Sequence, residues 1–561
     1  ATNPKDAKIG IIASGKSYLD VVEALDMFQD KVREQIRLMK VVVPWPLEPS
    51  ILKEFATGLK EIIVVEEKRQ LIEYQIKEHL YHYSENFRPR IIGKYEEKGE
   101  WELPRGNWLL PILSDFSANQ VYKVIEKRLL CNNILNKNQV FDTLKNLEIF
   151  DQNSIKNLSR PAWYCSGCPH NSSTKVPENS IALAGIGCHV MATAIYPKQN
   201  KTVTHMGGEG ATWIGQSQFS NLNHVFVNLG DGTYFHSGSL AIRAAIAAKI
   251  NITYKILFNN AVAMTGGQKV DGELDVENLI KQLIAEGIRK VILVTENYEL
   301  FKNLKFHSID FDVLKKEALN IAQTKLRHYK GVSVLVYDQI CAAEKRRKIN
   351  RGQIKKSNKI LFISSEICEG CGDCGVQSNC TSLYPLKTNE GVKRVIDQTS
   401  CNNDESCLKG FCPSFISISG KKKIVSNPIG IDTELFAKLK EPKFINNYSR
   451  DYNVLIVGIG GTGVITLSAI IGMASHIENK KISVLDMTGM SQKNGSVSSH
   501  LRFYTDHNNI GSQRIPDGNL DLLLSYDLLG ISDKNITNKI NHNRTNIVVN
   551  SNQQPTGYFA Q

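Results

Sequence analysis

The chain has 561 residues, of which 42% are hydrophobic and 22% are charged. It is too long for a single core, so about three or four domains are expected, and the composition excludes disordered, collagen-like and membrane classes. The net charge of +12 is densest in residues 345–359, which we interpret as a solvated linker. A docking patch for an acidic partner is the alternative, and nucleic-acid binding is not expected because no recognition motif accompanies the patch.

Residues 1–80 are predicted to form an α/β domain. The predicted strands are residues 8–15, 41–43 and 62–65, with a helix at 17–28 and a second helix that Ser50 is expected to cap. Strands that alternate with helices favour a parallel sheet with helical crossovers. Residues 81–159, rich in Lys, Asn and Trp, are predicted to connect this domain to the next. The start has no Met and no export pattern, so we expect a cytoplasmic fragment.

Residues 160–345 are predicted to form a second α/β domain. Its predicted strands are 225–229, 253–258, 291–294 and 332–336. Gly230-Asp231-Gly232 follows the first of them, and Asn259-Asn260 ends the next, 28 residues after Asp231. Because parallel strands end at the same edge, a carboxylate, an amide oxygen and a helix N-terminus would meet there and could hold Mg²⁺ and phosphate. Two ordinary turns are the alternative interpretation.

Residues 346–425 are predicted to hold the basic linker and an iron–sulfur segment. Cys368, Cys371 and Cys374 follow C-x-x-C steps, and Cys412 precedes Pro413, as in bacterial ferredoxins, so these four are expected to bind one cluster. Three cysteines of the segment remain, Cys380, Cys401 and Cys407, and a second four-iron cluster would need one more ligand. A three-iron cluster, a non-cysteine ligand and a cysteine from elsewhere are all open, and zinc is the alternative metal. Disulfides are not expected.

Residues 450–561 are predicted to form a third α/β domain. Its glycine loop, which follows a strand starting near residue 453 and opens a helix, contains Gly458, Gly460, Gly461 and Gly463. The next predicted strand, 482–485, ends at Asp486, which satisfies the sequence context of a dinucleotide site. The glycines interrupt the longest uncharged run, so we do not expect it to span a membrane. No internal repeat is evident along the chain.

The Gly-Asp-Gly and Asn-Asn pair resembles the motif of the thiamine-diphosphate fold. Four further stretches resemble the indolepyruvate ferredoxin oxidoreductase family in its large fused form, and they are residues 160–170, 184–189, 205–210 and 263–268. Residues 65–69, residues 337–341 and the iron–sulfur segment extend this resemblance over nearly the whole chain. It implies a multidomain α/β protein with a transketolase C-terminal-like first domain, a thiamine-diphosphate-binding domain, a ferredoxin-like segment and a Rossmann-like gamma domain.

The resemblance also implies a set of site residues. The cofactor-binding residues would be Gly187, Cys188, Gly207, Gly208, Glu209, Gly210, Gly230, Asp231, Gly232, Asn259, Asn260 and Val262, together with the four glycines of the C-terminal loop. The Mg²⁺ ligands would be Asp231, Asn260 and Val262. A cluster beside the thiamine would be held by Cys165, Cys168, Cys188 and Cys341, although zinc or a redox-active C-x-x-C pair is the alternative there. Cys131 would be a buried apolar residue.

In this family the glycine loop belongs to a gamma domain, with residues 492–500 as a second motif. We therefore favour contact with phosphate or an acyl carrier over a nicotinamide role, with a purely structural turn as the remaining interpretation. The implied reaction is oxidative decarboxylation of a 2-oxo acid, such as the aryl pyruvate indolepyruvate, to an acyl-coenzyme A. Electrons would pass through two or three 4Fe-4S clusters to ferredoxin.

The activating Glu of a pyrimidine-binding domain has no candidate in these residues, so that half is expected from elsewhere and the chain alone is expected to be inactive. A homodimer is expected, without nucleic acid or membrane partners. The alternatives are a non-redox thiamine lyase with structural clusters and an electron-transfer subunit without carbon chemistry.

Overall fold

The computed structural model describes residues 4, 6–113, 115–135, 160–265, 267–270, 272, 274–420, 438, 450–489, 494–505, 511–552 and 554–560. These residues form five sheets. None of the helices in these ranges has both the length and the apolar character that a membrane crossing requires. The multidomain α/β class predicted from the sequence is confirmed.

The first sheet has four parallel strands in the order β2-β1-β3-β4. Its strands are β1 (Ile9–Ser14), β2 (Ile36–Val41), β3 (Glu61–Val65) and β4 (Arg90–Ile92). Its helices are α1 (Gly15–Asp26), α2 (Asp30–Arg33), α3 (Pro49–Ala56), α4 (Leu71–Leu80) and α5 (Ala118–Cys131). Apolar residues of β1 and β3 are fully buried between helices on both faces, as expected for parallel strands.

Two local predictions in this domain are wrong. The second strand ends at Val41, and Val42 and Val43 are exposed. The pattern is misleading because Arg37 lies inside the strand, where its guanidinium donates to the carbonyl oxygen of Phe55 at 2.6 Å. Helix α3 is capped by the side chain of Glu48, not by Ser50, whose backbone N–H donates to that carboxylate at 3.0 Å.

The first sheet continues past residue 80, where the sequence analysis predicts a boundary. Strand β4 pairs with β3, and α5 packs against α1. Arg128 on α5 forms a buried ion pair with Glu61 on β3, with Nη2 and Oε2 2.6 Å apart. Polar composition alone does not reveal these elements because the charged residues pair inside the fold. Cys131, which was predicted to be buried, is exposed at the end of α5.

The second domain is built on a seven-stranded parallel sheet in the order β10-β9-β11-β8-β7-β5-β6. Its strands are β5 (Ala182–Ala184), β6 (Asn200–Val203), β7 (Val225–Gly230), β8 (Ile252–Phe258), β9 (Lys290–Thr295), β10 (Asp310–Lys315) and β11 (Val332–Asp338). Its helices are α6 (His170–Ser173), α7 (Ala192–Ile195), α8 (Ala211–Gln216), α9 (Asp231–Thr233), α10 (Ser239–Ala247), α11 (Val276–Ala285), α12 (Tyr298–Phe301), α13 (Leu319–Arg327) and α14 (Ala342–Asn350). The four predicted strands are present and form its centre.

The cysteine-rich segment consists of two similar halves, a repeat that the sequence analysis does not detect. The first half comprises β12 (Lys359–Ile363), α15 (Asp373–Ser378) and β13 (Leu383–Thr388), and the second comprises β14 (Gly391–Ile396), a 3₁₀ turn (Ser406–Leu408) and β15 (Phe415–Ser419). Strand β12 pairs antiparallel with β15, and β13 with β14. The helix of one half packs against the turn of the other, so the halves form one unit.

The C-terminal domain has a five-stranded sheet in the order β17-β18-β16-β19-β20. Its elements are β16 (Tyr452–Ile459), α16 (Val464–Ile477), β17 (Ile482–Thr488), β18 (Ser496–Phe503), β19 (Leu522–Ser525), α17 (Lys534–Thr537) and β20 (Asn546–Val549). Strand β18 lies between β16 and β17 and is antiparallel to both. The sheet therefore departs from the parallel β-α-β unit that the glycine loop suggests.

Candidate functional site

Asp231 joins the two loops that the sequence predicts to meet. Its Oδ2 accepts the backbone N–H groups of Asn259 at 2.9 Å and Asn260 at 2.7 Å, and its Oδ1 accepts that of Gly232 at 2.8 Å. The side chain is buried, and burial raises the pKa of its carboxyl, although the three N–H donors counteract the rise. The carboxyl ends of β7 and β8 thus form one anchored edge.

The residues predicted to bind Mg²⁺ lie next to one another at this edge. Asn260 is exposed in a left-handed conformation with φ of 53°. A Cβ atom added at Gly232 would lie 3.8 Å from Cγ2 of Val262, which places Val262 next to the Gly-Asp-Gly turn. One carboxylate, one amide oxygen and one backbone carbonyl are hard oxygen donors of the kind that Mg²⁺ takes together with phosphate oxygens. The residues therefore fit the predicted group.

Two buried polar side chains with unpaired atoms lie beside the same edge. Within the described residues, Glu209 Oε1 and His189 Nε2 have no hydrogen-bond partner. Glu209 accepts the N–H of Gly207 through its other oxygen at 2.7 Å, and a Cβ at Gly230 would lie 3.8 Å from the His189 ring. Burial raises the pKa of Glu209 and lowers that of His189 to about 3. Unpaired buried groups of this kind favour a polar ligand at the site.

The glycines around Glu209 let the backbone approach closely. Gly207 and Gly210 have φ of 88° and 81°, and Cβ atoms there would lie 2.2 Å from Ser237 Oγ and 2.7 Å from Tyr254 Oη. Larger residues would strain both positions. Gly208, between them, faces His205, whose ring would be 2.7 Å from an added Cβ. The predicted cofactor residues from 207 to 210 thus form a tight loop at the edge of the sheet.

Four cysteines and Asn259 line one small cavity of about 40 Å³. The cysteines are Cys165, Cys168, Cys188 and Cys341. Burial raises the pKa of the Cys168 thiol well above its usual value and that of Cys188 to about 12, and the neighbouring cysteines raise both further. The structure thus brings together the four residues that the resemblance assigns to a cluster, and it places them against the Asn-Asn loop.

The second cysteine group contains cysteines of both halves that lie near one another. Burial raises the pKa of Cys374 to about 11, and its cysteine neighbours include Cys412 and Cys368. Cys371 is exposed. Cys407 also has a raised pKa, caused by burial and by neighbours that include Cys380 and Cys401. The last cysteine of each half, Cys380 or Cys412, therefore lies near cysteines of the partner half, as in the crossed pattern of two-cluster ferredoxins.

Within the described ranges, no three His, Cys, Asp or Glu side chains are arranged to hold a metal ion. The predicted Mg²⁺ site uses a single carboxylate, and an iron–sulfur cluster distributes its thiolates over several irons. Neither prediction depends on such a group.

The second cysteine group touches the loop that carries the first. The Ser166 and Thr381 hydroxyl oxygens are 3.0 Å apart, Asn402 Nδ2 donates to the Ser166 carbonyl oxygen at 2.7 Å, and Asn379 Nδ2 donates to Asn171 Oδ1 at 3.1 Å. Ser166 lies between Cys165 and Cys168 in the chain. The two cysteine groups are therefore direct neighbours.

Sequence reasoning missed a buried basic residue whose charge acts on His170, a residue that lines the cysteine cavity. Lys255 on β8 is fully buried, and burial lowers its pKa to about 7. Its Nζ donates to the carbonyl oxygen of Lys175 at 3.2 Å, and its charge acts on His170 and His189. The signal was a single Lys inside an otherwise uncharged, largely apolar strand.

The C-terminal glycine loop has the open backbone that was predicted but lacks the acidic partner of a dinucleotide site. Gly461 and Gly463 have φ of 93° and 94° with open space around them. The carboxylate of Asp486 instead accepts the hydroxyl groups of Ser468, at 2.9 Å, and Ser499. Because β18 separates β17 from β16, Asp486 does not stand on the strand next to the loop. The nicotinamide alternative is therefore disfavoured.

The other loop glycines and the second motif are structural neighbours. Gly460 N donates to the Gly495 carbonyl oxygen at 2.9 Å, and a Cβ at Gly458 would lie 2.8 Å from Val464. Asn494 Nδ2 donates to the Tyr164 carbonyl oxygen at 3.1 Å, next to Cys165. Gln492 and Lys493 lie outside the described residues.

A parallel sheet with Gly-Asp-Gly and Asn-Asn loops at one edge defines a thiamine-diphosphate enzyme fold. Three family models match the chain in agreement with this class. They are "Thiamine pyrophosphate enzyme, C-terminal TPP binding domain" at residues 185–290, "Indolepyruvate ferredoxin oxidoreductase middle domain" at 1–158 and "Pyruvate ferredoxin/flavodoxin oxidoreductase" at 453–560. Two of the three matched segments, at the two ends of the chain, are thus similar to domains of indolepyruvate and pyruvate ferredoxin oxidoreductases.

Curated relatives agree. Indolepyruvate oxidoreductase subunit IorA of Thermococcus kodakarensis is 25% identical over 437 residues, covering 73% of this chain and 60% of that protein. Subunit IorB of Methanothermobacter thermautotrophicus is 38% identical over 79 residues, covering 14% of this chain and 38% of that protein. The chain thus spans about 60% of the length of the IorA relatives it matches. A solved 2-oxoglutarate:ferredoxin oxidoreductase from Magnetococcus marinus is 18% identical in sequence, and the match covers 34% of this chain and 70% of that chain with a TM-score of 0.24.

Proposed function

We propose that this chain is part of a thiamine-diphosphate-dependent 2-oxoacid:ferredoxin oxidoreductase. The enzyme would oxidatively decarboxylate an aryl pyruvate such as indolepyruvate in the presence of coenzyme A. The products would be carbon dioxide, an acyl-coenzyme A, a proton and two molecules of reduced ferredoxin, which balances the two electrons removed from the substrate.

The position of Asn259 carries this proposal. Its backbone N–H donates to Asp231, the predicted cofactor anchor, and the same residue lines the cavity of Cys165, Cys168, Cys188 and Cys341. One residue thus separates the proposed site of carbon chemistry from the proposed first electron acceptor. A non-redox lyase would have no need for four thiols at this position.

The residues of the chain have distinct roles in this proposal. Asp231, Asn260 and the Val262 carbonyl would hold Mg²⁺, and the loop with Gly207 and Glu209 would contact the cofactor. Thiamine diphosphate, when bound, supplies the nucleophile and electron sink for decarboxylation. The protein would orient the cofactor and keep the thiols close to it.

Electrons would leave through the cysteine groups. The cluster at Cys165, Cys168, Cys188 and Cys341 would be reduced first. The clusters of the ferredoxin-like segment would then pass electrons to ferredoxin. The hydrogen bonds of Ser166 to Thr381 and Asn402 support transfer between the two cysteine groups because they fix the neighbouring segments together.

The remaining parts of the enzyme belong to the same proposal. A pyrimidine-binding half with the activating Glu would come from elsewhere in the protein or from another subunit, and two copies would assemble into a dimer. The cytoplasm suits the twelve cysteines of the chain, because reducing compartments keep thiols available for metal. No nucleic acid and no membrane would be involved.

The test is an anaerobic assay of the cluster-loaded chain, mixed with the pyrimidine-binding half, thiamine diphosphate, Mg²⁺, indolepyruvate, coenzyme A and ferredoxin. We expect acyl-coenzyme A and reduced ferredoxin from the mixture and neither from the chain alone. Cys168→Ala should abolish ferredoxin reduction but retain thiamine diphosphate binding, while Cys131→Ala, at an exposed cysteine of the first domain, should have no effect. Aldehyde release without ferredoxin reduction would identify a lyase, and clusters without thiamine binding would identify an electron-transfer subunit.

A further inference from the structure

The cysteines of the two halves follow in the same order, with one position in the second half occupied by another residue. In the first half, β12 is followed by Cys368, Cys371 and Cys374, and Cys380 precedes β13. In the second half, β14 is followed by Cys401 and Cys407, and Cys412 precedes β15. The position that corresponds to Cys371 is three residues after Cys401 and three before Cys407, and it is occupied by Asp404.

The fold places Asp404 near the three cysteines whose predicted cluster lacks a fourth ligand, which are Cys380, Cys401 and Cys407. Gly167 contacts both Cys380 and the surroundings of Asp404. Its backbone N–H donates to the Cys380 sulfur, and a Cβ atom added at Gly167 would lie 3.1 Å from Asp404 Oδ1. Asp404 also raises the pKa of Cys380, Cys401 and Cys407 through its negative charge, alongside the larger effect of burial. The carboxylate is therefore next to Gly167, which contacts Cys380, and its charge acts on all three thiols.

Asp404 also faces the first cysteine group. It lines a small cavity together with Cys168 and Pro169, and its Oδ2 accepts the hydroxyl group of Ser406. A ligand at this position would lie on the side of the second group that faces the proposed thiamine-proximal cluster.

We propose that Asp404 is the fourth ligand of the cluster held by Cys380, Cys401 and Cys407, and that it binds iron through a carboxylate oxygen. The inference rests on the proposed iron–sulfur clusters. Iron–sulfur chemistry favours soft thiolates, so the iron held by a hard carboxylate is the one most easily lost. Oxidation of this [4Fe-4S]²⁺ cluster would yield [3Fe-4S]⁺ and release Fe²⁺ and one electron, which an added oxidant such as ferricyanide accepts.

The experiment uses the full chain with its clusters assembled anaerobically, treated with ferricyanide and analysed for iron content and electron paramagnetic resonance. We expect the wild type to release about one iron per chain and to gain a three-iron signal. Asp404→Cys should retain that iron and show no such signal. Asp404→Ala should be isolated with about one iron fewer and show the signal before oxidation.

Asp373→Ala is the matched control, because Asp373 directly precedes Cys374 in the first half and is not a predicted cluster ligand. It should behave as the wild type does. The proposal is overturned if Asp404→Cys still releases the iron, or if Asp404→Ala keeps the full iron content. A chain that binds no iron in any variant would instead overturn the proposed clusters themselves, which separates the two failures.

Discussion

At the scale of single residues, the candidate site depends on how burial competes with hydrogen bonding at Asp231. Burial disfavours the charged carboxylate, whereas three backbone N–H groups favour it, and the net effect is a raised pKa. A bound divalent cation adds positive charge and reverses this balance. The two loops already fix the geometry of this carboxylate, which is what the proposed Mg²⁺ site requires.

Asp231→Asn is expected to weaken Mg²⁺-dependent binding of thiamine diphosphate by about 100-fold or more. The amide removes the negative charge and leaves at least one buried N–H without its acceptor, which costs about 1–3 kcal/mol. Isothermal titration of the full chain with the cofactor measures the effect. Glu299→Gln, at an exposed carboxylate of the same domain, is the control and should bind normally. Equal affinity in the Asp231 variant would remove this residue from the site.

Lys255 makes the stability of the second domain depend on pH. Its pKa is lowered by burial to about 7, below the value of about 10.4 in an unfolded chain, so the unfolded chain binds the extra proton between these limits. Stability should therefore rise with pH from about 7, with a maximal slope of about 1.4 kcal/mol per pH unit. His170 and His189, with pKa values lowered to about 4 and about 3, do not titrate in this range.

The measurement compares unfolding midpoints of the cofactor-free wild type and Lys255→Met from pH 7 to about 8.5, the usual thiol pKa. Above that limit the buried thiols, whose pKa values are raised, reverse the trend because the unfolded chain loses their protons first. The wild type should gain stability relative to the variant as pH rises. A constant difference between the two proteins would show that Lys255 is charged throughout.

At the scale of elements, helix α5 packs against the core on one face of the first sheet. Ser117 caps it with a capping box, in which Ser117 Oγ accepts the Gln120 N–H at 3.4 Å and Gln120 Oε1 accepts the Ser117 N–H at 3.0 Å. The helix packs Val121, Ile125 and Leu129 into the core. Its N-terminus is therefore where its stability can be changed without altering the core.

Ser117→Ala is expected to destabilise α5 by about 1 kcal/mol, because the N–H of Gln120 loses its acceptor. Amide hydrogen exchange should show faster exchange in the first turns of this helix. Ser50→Ala is the matched control, since Ser50 lies in the first turn of α3 but Glu48 forms the cap there, and it should leave exchange in α3 nearly unchanged. Unchanged exchange in both variants would mean that the capping box does not limit opening of α5.

The elements also show where local sequence patterns suffice. The strands β7, β8, β9 and β11 follow from apolar runs, and the meeting of Asp231 with Asn259 follows because parallel strands end at one edge. The order of the C-terminal sheet could not be predicted, because the insertion of β18 between β16 and β17 depends on distant pairing. The repeat in the cysteine-rich segment was hidden because Asp404 interrupts the cysteine spacing.

At the scale of the whole molecule, the C-terminal domain contacts both α/β domains. Arg502 forms a bidentate ion pair with Glu23 of the first domain, with Nη1 and Oε2 2.6 Å apart. Arg160, at the start of the second domain, pairs with Asp527, with Nε and Oδ2 2.8 Å apart. The cysteine-rich segment contacts the second domain through Asn379 and Asn402. Polar contacts thus hold the domains against one another.

The Arg160 and Asp527 pair should be strongly coupled, because both side chains are almost fully buried. Arg160→Ala leaves an unpaired buried carboxylate and should destabilise the interface by about 3–5 kcal/mol, whereas Arg243→Ala, in the exposed pair with Glu286, should cost less than about 1 kcal/mol. The double variant Arg160→Met with Asp527→Asn should recover part of the loss, since Asn can still accept the Gly530 N–H.

Denaturant unfolding and limited proteolysis between the two domains measure these differences. If the double variant is as unstable as Arg160→Ala, the loss comes from the contacts of Arg160 with the carbonyl oxygens of Gln554 and Pro555, at 2.9 and 3.3 Å, and not from the charge pair. Recovery of stability in the double variant would instead show that the loss in Arg160→Ala comes from the buried Asp527 carboxylate left without its ion-pair partner. In that case the charge pair holds the C-terminal domain against the segment that leads into Cys165 and Cys168.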